Sequence, residues 1–220
     1  MKLFATSDIH GNKHIIDKLK AVAPLVDIIL ICGDIGGKDT RGKTFRQFSE
    51  HQKQDADHLA AVLSALNTPS RFILGNDDWF EYDNEHYLNQ TESIGGLTFI
   101  PFDHVLMTPF NTNREVNENR LRYELDKLPA DGNSIIVAHT PPWMSGDTLY
   151  NGRHCGSLSV REWIEATQPK LWLCGHIHED NSANHIGNTL ILNCACQHQT
   201  DILKGWIVDT DTLIFEEIKI

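Results

Sequence analysis

The sequence predicts a layered α/β sandwich with at least one mixed sheet. Three observations lead there. Apolar, β-branched runs alternate with segments of helical periodicity over the first two-thirds of the chain. The last third reads as short strands joined by turns. No Pro/Gly/Ser-rich linker or shift in composition divides the 220 residues, so one domain over 1–220 is expected, long enough for a substantial core.

Taken in order, residues 2–7 are a short apolar strand, and Ile15, Ile16, Leu19 and Val22 place a helix over 13–22. Residues 26–32 are nearly continuously apolar, the pattern of a strand buried on both faces. A polar loop, 36–46, carries Lys38, Arg41, Lys43 and Arg46, and the stripe Leu59, Val62, Leu63, Leu66 marks the helix that follows. Strands are expected over 71–74 and, as a pair, over 97–101 and 105–107; an amphipathic helix is expected over 115–128. After a strand at 134–138 and a long loop, 143–156, comes a helix over 157–167 that Ser157 or Ser159 can cap. A strand at 170–174 leads to the closing meander: 183–186, 190–193, 202–208 and 213–220.

Composition excludes several classes of function. Hydrophobic residues are 40% and charged residues 22%, ordinary for a globular protein. The apolar stretch before Asp8 is too short for a signal-peptide core or a membrane span, which makes cytoplasmic residence the expectation. Five cysteines, an odd number at irregular spacing, do not describe a disulfide framework. Cys194 and Cys196 lack the second pair that a structural zinc motif requires. A net charge of -11 argues against duplex nucleic acid as partner, because such binding draws on Lys and Arg against phosphates. An excess of carboxylates is compatible with bound divalent cations.

Five apolar strands each end abruptly in metal-competent side chains: Asp8 with His10, Asp34, Asn76 with Asp77, His139, and His176 with His178. In α/β sheets ligands collect at the carboxyl ends of strands. Carboxylate, amide oxygen and imidazole together suit Mn²⁺, Fe²⁺, Zn²⁺ or Ni²⁺, whereas a calcium or magnesium site uses few histidines. Asp-x-His and His-x-His set two donors on one side of an extended segment. Lone histidines such as His104, His185 and His198 are expected at the surface or in ordinary hydrogen bonds, and the four loop cations are expected to be mainly solvated.

In order and spacing, Asp8-Ile9-His10, Gly33-Asp34, Gly75-Asn76-Asp77-Asp78, His139 and Gly175-His176-Ile177-His178 resemble the blocks of the calcineurin-like metallophosphoesterase superfamily. The resemblance implies a four-layer αββα sandwich with two mixed sheets and a metal site at strand ends. It implies two divalent ions, manganese favoured, one held by Asp8, His10, Asp34 and His178, the other by Asp34, Asn76, His139 and His176. Such a pair, about 3.5–4 Å apart, can share a hydroxide, lower its pKa to about 7 and clamp a phosphate for in-line attack. The implied activity is hydrolysis of small phosphate esters, diesters favoured, with a nucleotide among the candidate substrates.

One position departs from the pattern. Asp77 stands where the family usually has a His that protonates the leaving group or contacts phosphate, and His154, in the 143–156 loop, is the candidate substitute. The departure keeps two other functions open: a binding or scaffold protein that retains the fold with a weakened site, and a nuclease acting on single-strand ends.

Overall fold

A computed structural model describes all residues, 1–220. In chain order the elements are β1 (Lys2–Thr6), α1 (Lys13–Val22), β2 (Ile28–Cys32), α2 (Phe45–Ser64), β3 (Ser70–Ile73), β4 (Glu92–Ile94), β5 (Leu97–Phe102), β6 (Val105–Leu106), β7 (Glu115–Val116), α3 (Glu118–Leu125), β8 (Ser134–Ala138), α4 (Leu158–Thr167), β9 (Leu171–Cys174), β10 (Ala183–Ile186), β11 (Thr189–Asn193), β12 (Lys204–Asp209) and β13 (Phe215–Lys219). Strands form one sheet in the order β13-β12-β1-β2-β3, a second in the order β10-β11-β9-β8-β5-β4, and a separate ribbon β6-β7. Both large sheets are mixed: β1, β2 and β3 run parallel while β12 and β13 are antiparallel additions. In the second sheet β5, β8, β9 and β11 are parallel, with antiparallel β4 and β10 at the edges.

Side-chain alternation explains why these strands read as unbroken apolar runs. In β2, Ile28, Leu30 and Cys32 enter the core between the sheets, whereas Ile29 and Ile31 pack under α1 and α2. In β8, Ile135 and Val137 face the first sheet, while Ile136 and Ala138 face α3 and α4. Trp172 of β9 is fully buried against Trp163 of α4. Helices, sheet, sheet and helices thus form the expected αββα stack. Its central layer is buried on both faces, so each strand end is rigidly placed.

Helix starts follow their caps. Asn12 caps α1 through the backbone N–H of His14 and Ile15. Thr44 and Gln47 form a reciprocal capping box on α2. Ser157, rather than Ser159, caps α4.

Two expectations are corrected. The helix expected over 115–128 begins only after Asn117, whose side chain caps Arg120 N, and ends at Leu125; Glu115 and Val116 form β7 instead. The strands expected to pair over 97–107 do not pair with each other. β5 lies between β4 and β8, so both its edges are occupied, and the chain leaves the sheet at Asp103. Arg114 binds Asp103 and the carbonyls of Gly75 and Asp78, which draws β7 alongside β6 and docks this ribbon on the turn after β3. No helix is long and apolar enough to cross a membrane.

Candidate metal centre

The carboxyl ends of β1, β2, β3, β8 and β9 converge at one end of the stack. Asp8, His10, Asp34 and His176 all adopt left-handed backbone conformations, with φ between 48° and 71°. Asp and His tolerate this region better than most residues, yet each such conformation costs about 1–3 kcal/mol and persists only where the surroundings enforce it. The turns reverse within one or two residues of the strand and aim the side chains inward. Close approach fixes two glycines: a Cβ at Gly75 would meet the Asp34 carboxylate, and one at Gly175 would meet Ser7 and Asp8.

Asp34 sits at the middle of the cluster. Its Oδ1 accepts from the backbone N–H of Asp77 at 2.9 Å, while Oδ2 lies 3.7 Å from His10 Nε2 and 3.4 Å from His139 Nε2. Asp8 accepts from His178 Nε2 at 2.8 Å and from the backbone N–H of His176 at 2.9 Å. His139 donates Nδ1–H to the Cys32 carbonyl at 2.6 Å, which leaves Nε2 directed at Asp34. That bond fixes the tautomer a metal-binding imidazole needs. Asn76 donates Nδ2–H to Thr112 Oγ1 at 2.6 Å, so one of its amide protons is engaged by the segment joining β6 to β7.

Among buried polar atoms, both ring nitrogens of His10, Nε2 of His139 and Oδ1 of Asn76 have no hydrogen-bond partner. Leaving such atoms unpaired costs about 1–3 kcal/mol each. Oxygen and imidazole groups that no protein partner engages, gathered around two carboxylates, are the complement of divalent cations. Donor atoms of Asp8, Asp34 and His139 lie within 4.8 Å of one another, as do those of His10, Asp34 and Asp77, and those of His10, His178 and His198. The residues present therefore fit the metals that the sequence pattern implies.

Electrostatics points the same way. Burial opposes charge on His139, but Asp34 beside it prevails and pushes the imidazole up to about 10. Burial opposes ionisation of Asp34 as well, and the neighbouring His139 and His10 outweigh it and hold the carboxyl well below the usual range. Burial and the charge on His139 push His176 down to about 4, and burial carries His198 to about 4. Burial lowers His10 as well, whereas at His178 burial is outweighed by Asp8, which raises the imidazole. Without a cation, protons are therefore favoured on His139 and His178 and disfavoured on His10, His176 and His198.

A supporting carboxylate lies behind the first. Asp78 is fully buried and accepts from the backbone N–H of Ile35, Gly36 and Gly75, tying the turn after β2 to the turn after β3. Burial and the nearby Asp34 charge raise its pKa to about 7 against those three bonds.

Asp77 and His154 have different surroundings. Asp77 lines a cleft of about 370 Å³ together with Asp34, Asn76, Thr112, His176 and Lys38, whose ammonium lies 2.6 Å from the Asp77 carboxylate. The loop cations thus separate: Arg41 and Lys43 pair with Asp39 and Arg46 pairs with Glu50, while Lys38 alone faces the cleft. His154 does not line the cleft. Its Nδ1 is 2.7 Å from the buried Asp147 carboxylate, which also accepts from the backbone N–H of Met144 and Gly156 and closes the loop on itself.

His198 departs from the surface placement expected of it. Its ring meets those of His10 and His178 at 4.4 Å and 5.4 Å between centroids. It comes from a 3₁₀ turn, His198–Thr200, between β11 and β12, and no motif marks it. Asn12 holds it in place, its Nδ2 donating to the His198 carbonyl and the Asp201 carboxylate over the start of α1. Cys32, Cys174, Cys194 and Cys196 are buried and stand apart from the donor clusters.

The family model described as calcineurin-like phosphoesterase matches residues 1–180. An uncharacterized protein of Methanocaldococcus jannaschii is 25% identical over 199 residues, covering 88% of this chain and 87% of its own length. A UPF0046 protein of Caenorhabditis elegans is 27% identical over 208 residues, covering 89% of this chain but 48% of its own, so the chain spans about half of that relative. Among solved structures, one chain superposes with a TM-score of 0.77 at 14% identity, covering 99% of this chain and 98% of its own. The protein TT1561 of Thermus thermophilus superposes at 0.67 and 15% identity, with the same coverage. A novel archaeal phosphodiesterase superposes at 0.53 and 15% identity, with both chains covered completely. At such identities the likeness is one of fold.

Proposed function

The chain belongs to the calcineurin-like phosphoesterase family, and on that premise we propose that it is a dinuclear-metal phosphoesterase acting on small phosphodiesters. The observation that carries this reading is the set of orphaned buried donors, His10 Nε2, His139 Nε2 and Asn76 Oδ1, gathered around Asp34. Asp8, His10, Asp34 and His178 would hold one ion, and Asp34, Asn76, His139 and His176 the other; the mix of oxygen and imidazole suits Mn²⁺, Fe²⁺, Zn²⁺ or Ni²⁺, and the family resemblance favours manganese. Such ions supply Lewis acidity toward phosphoryl oxygens and acidify water to neutral pKa. His198 completes a trio of imidazoles on the first side.

The protein's own groups do the rest. The Cys32 carbonyl, through His139 Nδ1, and Thr112, through Asn76 Nδ2, fix the orientation of two donors before any ligand arrives. Lys38 neutralises Asp77, so that position beside the donors presents no net charge where an imidazolium would present one. A diester monoanion loses less from that exchange than a monoester dianion. Hydrolysis of bis(p-nitrophenyl) phosphate and p-nitrophenyl phosphate should be compared with Mn²⁺ supplied. Faster turnover of the diester is expected; faster turnover of the monoester overturns the preference, and no turnover of either with any of Mn²⁺, Ni²⁺, Zn²⁺ and Mg²⁺ overturns the activity.

A further inference from the structure

Beside the cleft lies a second cavity, of about 330 Å³, that the metal chemistry does not use. Its walls are Val105 and Leu106 of β6, Pro109 and Phe110 from the ribbon tip, Leu149 from the 143–156 loop, and Ile177 from the turn after β9. The two spaces adjoin: His176, Phe110 and Glu179 line both.

Two of the polar groups lining the second cavity are engaged elsewhere, which leaves the Thr140 hydroxyl, the His176 ring and the Glu179 carboxylate beside seven apolar side chains. Thr108 Oγ1 donates to Glu115 at 2.5 Å, and Cys155 Sγ donates to the Asp147 carbonyl at 3.2 Å. Burial pushes the Cys155 thiol up to about 11, so it brings no charge. A guest that needed several matched hydrogen bonds, such as a nucleobase, would find only those three groups to pair with among mostly apolar walls, and would lose its other bonds to water. A hydrocarbon guest needs none. The volume is at the lower end of small-molecule sites, which span about 300–1,000 Å³, and suits one ring or a short branched chain. Phe110 is 79% exposed although it stands at the junction of the two spaces, an apolar side chain in water until something covers it.

We propose that this cavity is a specificity subsite that receives an apolar, aryl-sized substituent of a phosphate ester whose phosphorus sits in the adjoining metal cleft. The inference rests on the metal-dependent phosphoesterase reading for the position of the phosphorus. The β6-β7 ribbon then has two tasks, orienting Asn76 through Thr112 and forming the apolar wall with Leu106 and Phe110.

Non-hydrolysable phosphonates separate the two halves. Benzylphosphonate and methylphosphonate carry the same anion and differ in the apolar group. Binding to the full chain loaded with Mn²⁺ is measured by calorimetry, for the native protein and for Leu149→Glu and Phe110→Ser, both at positions outside the core. Benzylphosphonate is expected to bind at least tenfold more tightly than methylphosphonate, and that advantage should shrink to within threefold in Leu149→Glu while methylphosphonate affinity stays constant. Phe110→Ser should lose part of it. Equal binding of the two phosphonates, or an advantage that survives both substitutions, overturns the subsite and leaves the metal centre standing. Failure of both phosphonates to bind overturns the phosphate site and the subsite together.

Discussion

On the floor of the cleft Asp8, Asp34 and His139 are almost wholly buried, stand on strand ends, and face atoms that lack hydrogen-bond partners. In the wall of the same cleft Lys38 and Phe110 stand on loops, exposed, the first with its charge already paired and the second with its ring in water. The floor is costly to build. Four left-handed residues and several unpaired donors must be held in place by two sheets packed on each other, and such strain is retained where it positions chemistry. The wall costs little and can change without disturbing the core. Reactivity set by buried strand ends and selectivity set by surface loops is the division of labour this comparison teaches.

Substitutions should separate the two regions. The largest effect is expected at Asp34, which touches both proposed metal sites. Asp34→Ala should lower phosphodiester turnover by about 10³-fold, since the loss of metal-borne charge stabilisation amounts to several kcal/mol at about 1.36 kcal/mol per tenfold. Turnover within tenfold of the native protein would place the chemistry elsewhere. Next is the support beneath the floor. Asp78→Ala leaves the backbone N–H groups of Ile35, Gly36 and Gly75 without their acceptor and should cost about 3 kcal/mol of stability in denaturant titration. An unchanged midpoint would mean that the two turns hold themselves.

The third effect is a pH dependence. In the metal-free chain the Asp34–His139 pair raises His139 from 6.5 to about 10, so its stabilisation is fully present below pH 6.5 and is lost as pH climbs through about 10. A cation must displace that proton. Apparent Mn²⁺ affinity should therefore rise between pH 6.5 and 9, by about tenfold per pH unit for each proton released. A flat profile would show that His139 is not displaced. The smallest effect lies outside the cleft: His154→Ala should leave turnover and KM within about twofold, because its bond to Asp147 shapes the loop and not the cleft. A fall in turnover of tenfold or more would return His154 to the reacting centre.

Much of the floor was legible in the sequence because each donor follows an apolar strand, and burial on both faces forces such strands to be unbroken hydrophobic runs. Asp8, Asp34, Asn76, His139 and His176 could be placed at strand ends from that pattern alone. The layering of the two sheets came from the family resemblance, since non-local pairing leaves little trace in local periodicity. The wall was less legible. Leu97–Phe102 and Val105–Leu106 have the same apolar character, and only Arg114, binding Asp103 and the carbonyls of Gly75 and Asp78, separates them. Lys38 was one of four loop cations with no local feature to single it out; the distinction is that Asp39 and Glu50 take the other three. His198 reaches the floor through a tertiary bond from Asn12, and a contact spanning that much chain has no sequence period to betray it.

The most direct test is to count the metal. After incubation with Mn²⁺ and removal of free ions, the full chain should retain close to two ions per molecule by elemental analysis, and Asp34→Ala, if still folded by circular dichroism, should retain none or one. A native chain that keeps no stoichiometric metal, or an Asp34→Ala variant that keeps as much as the native chain, would contradict the account.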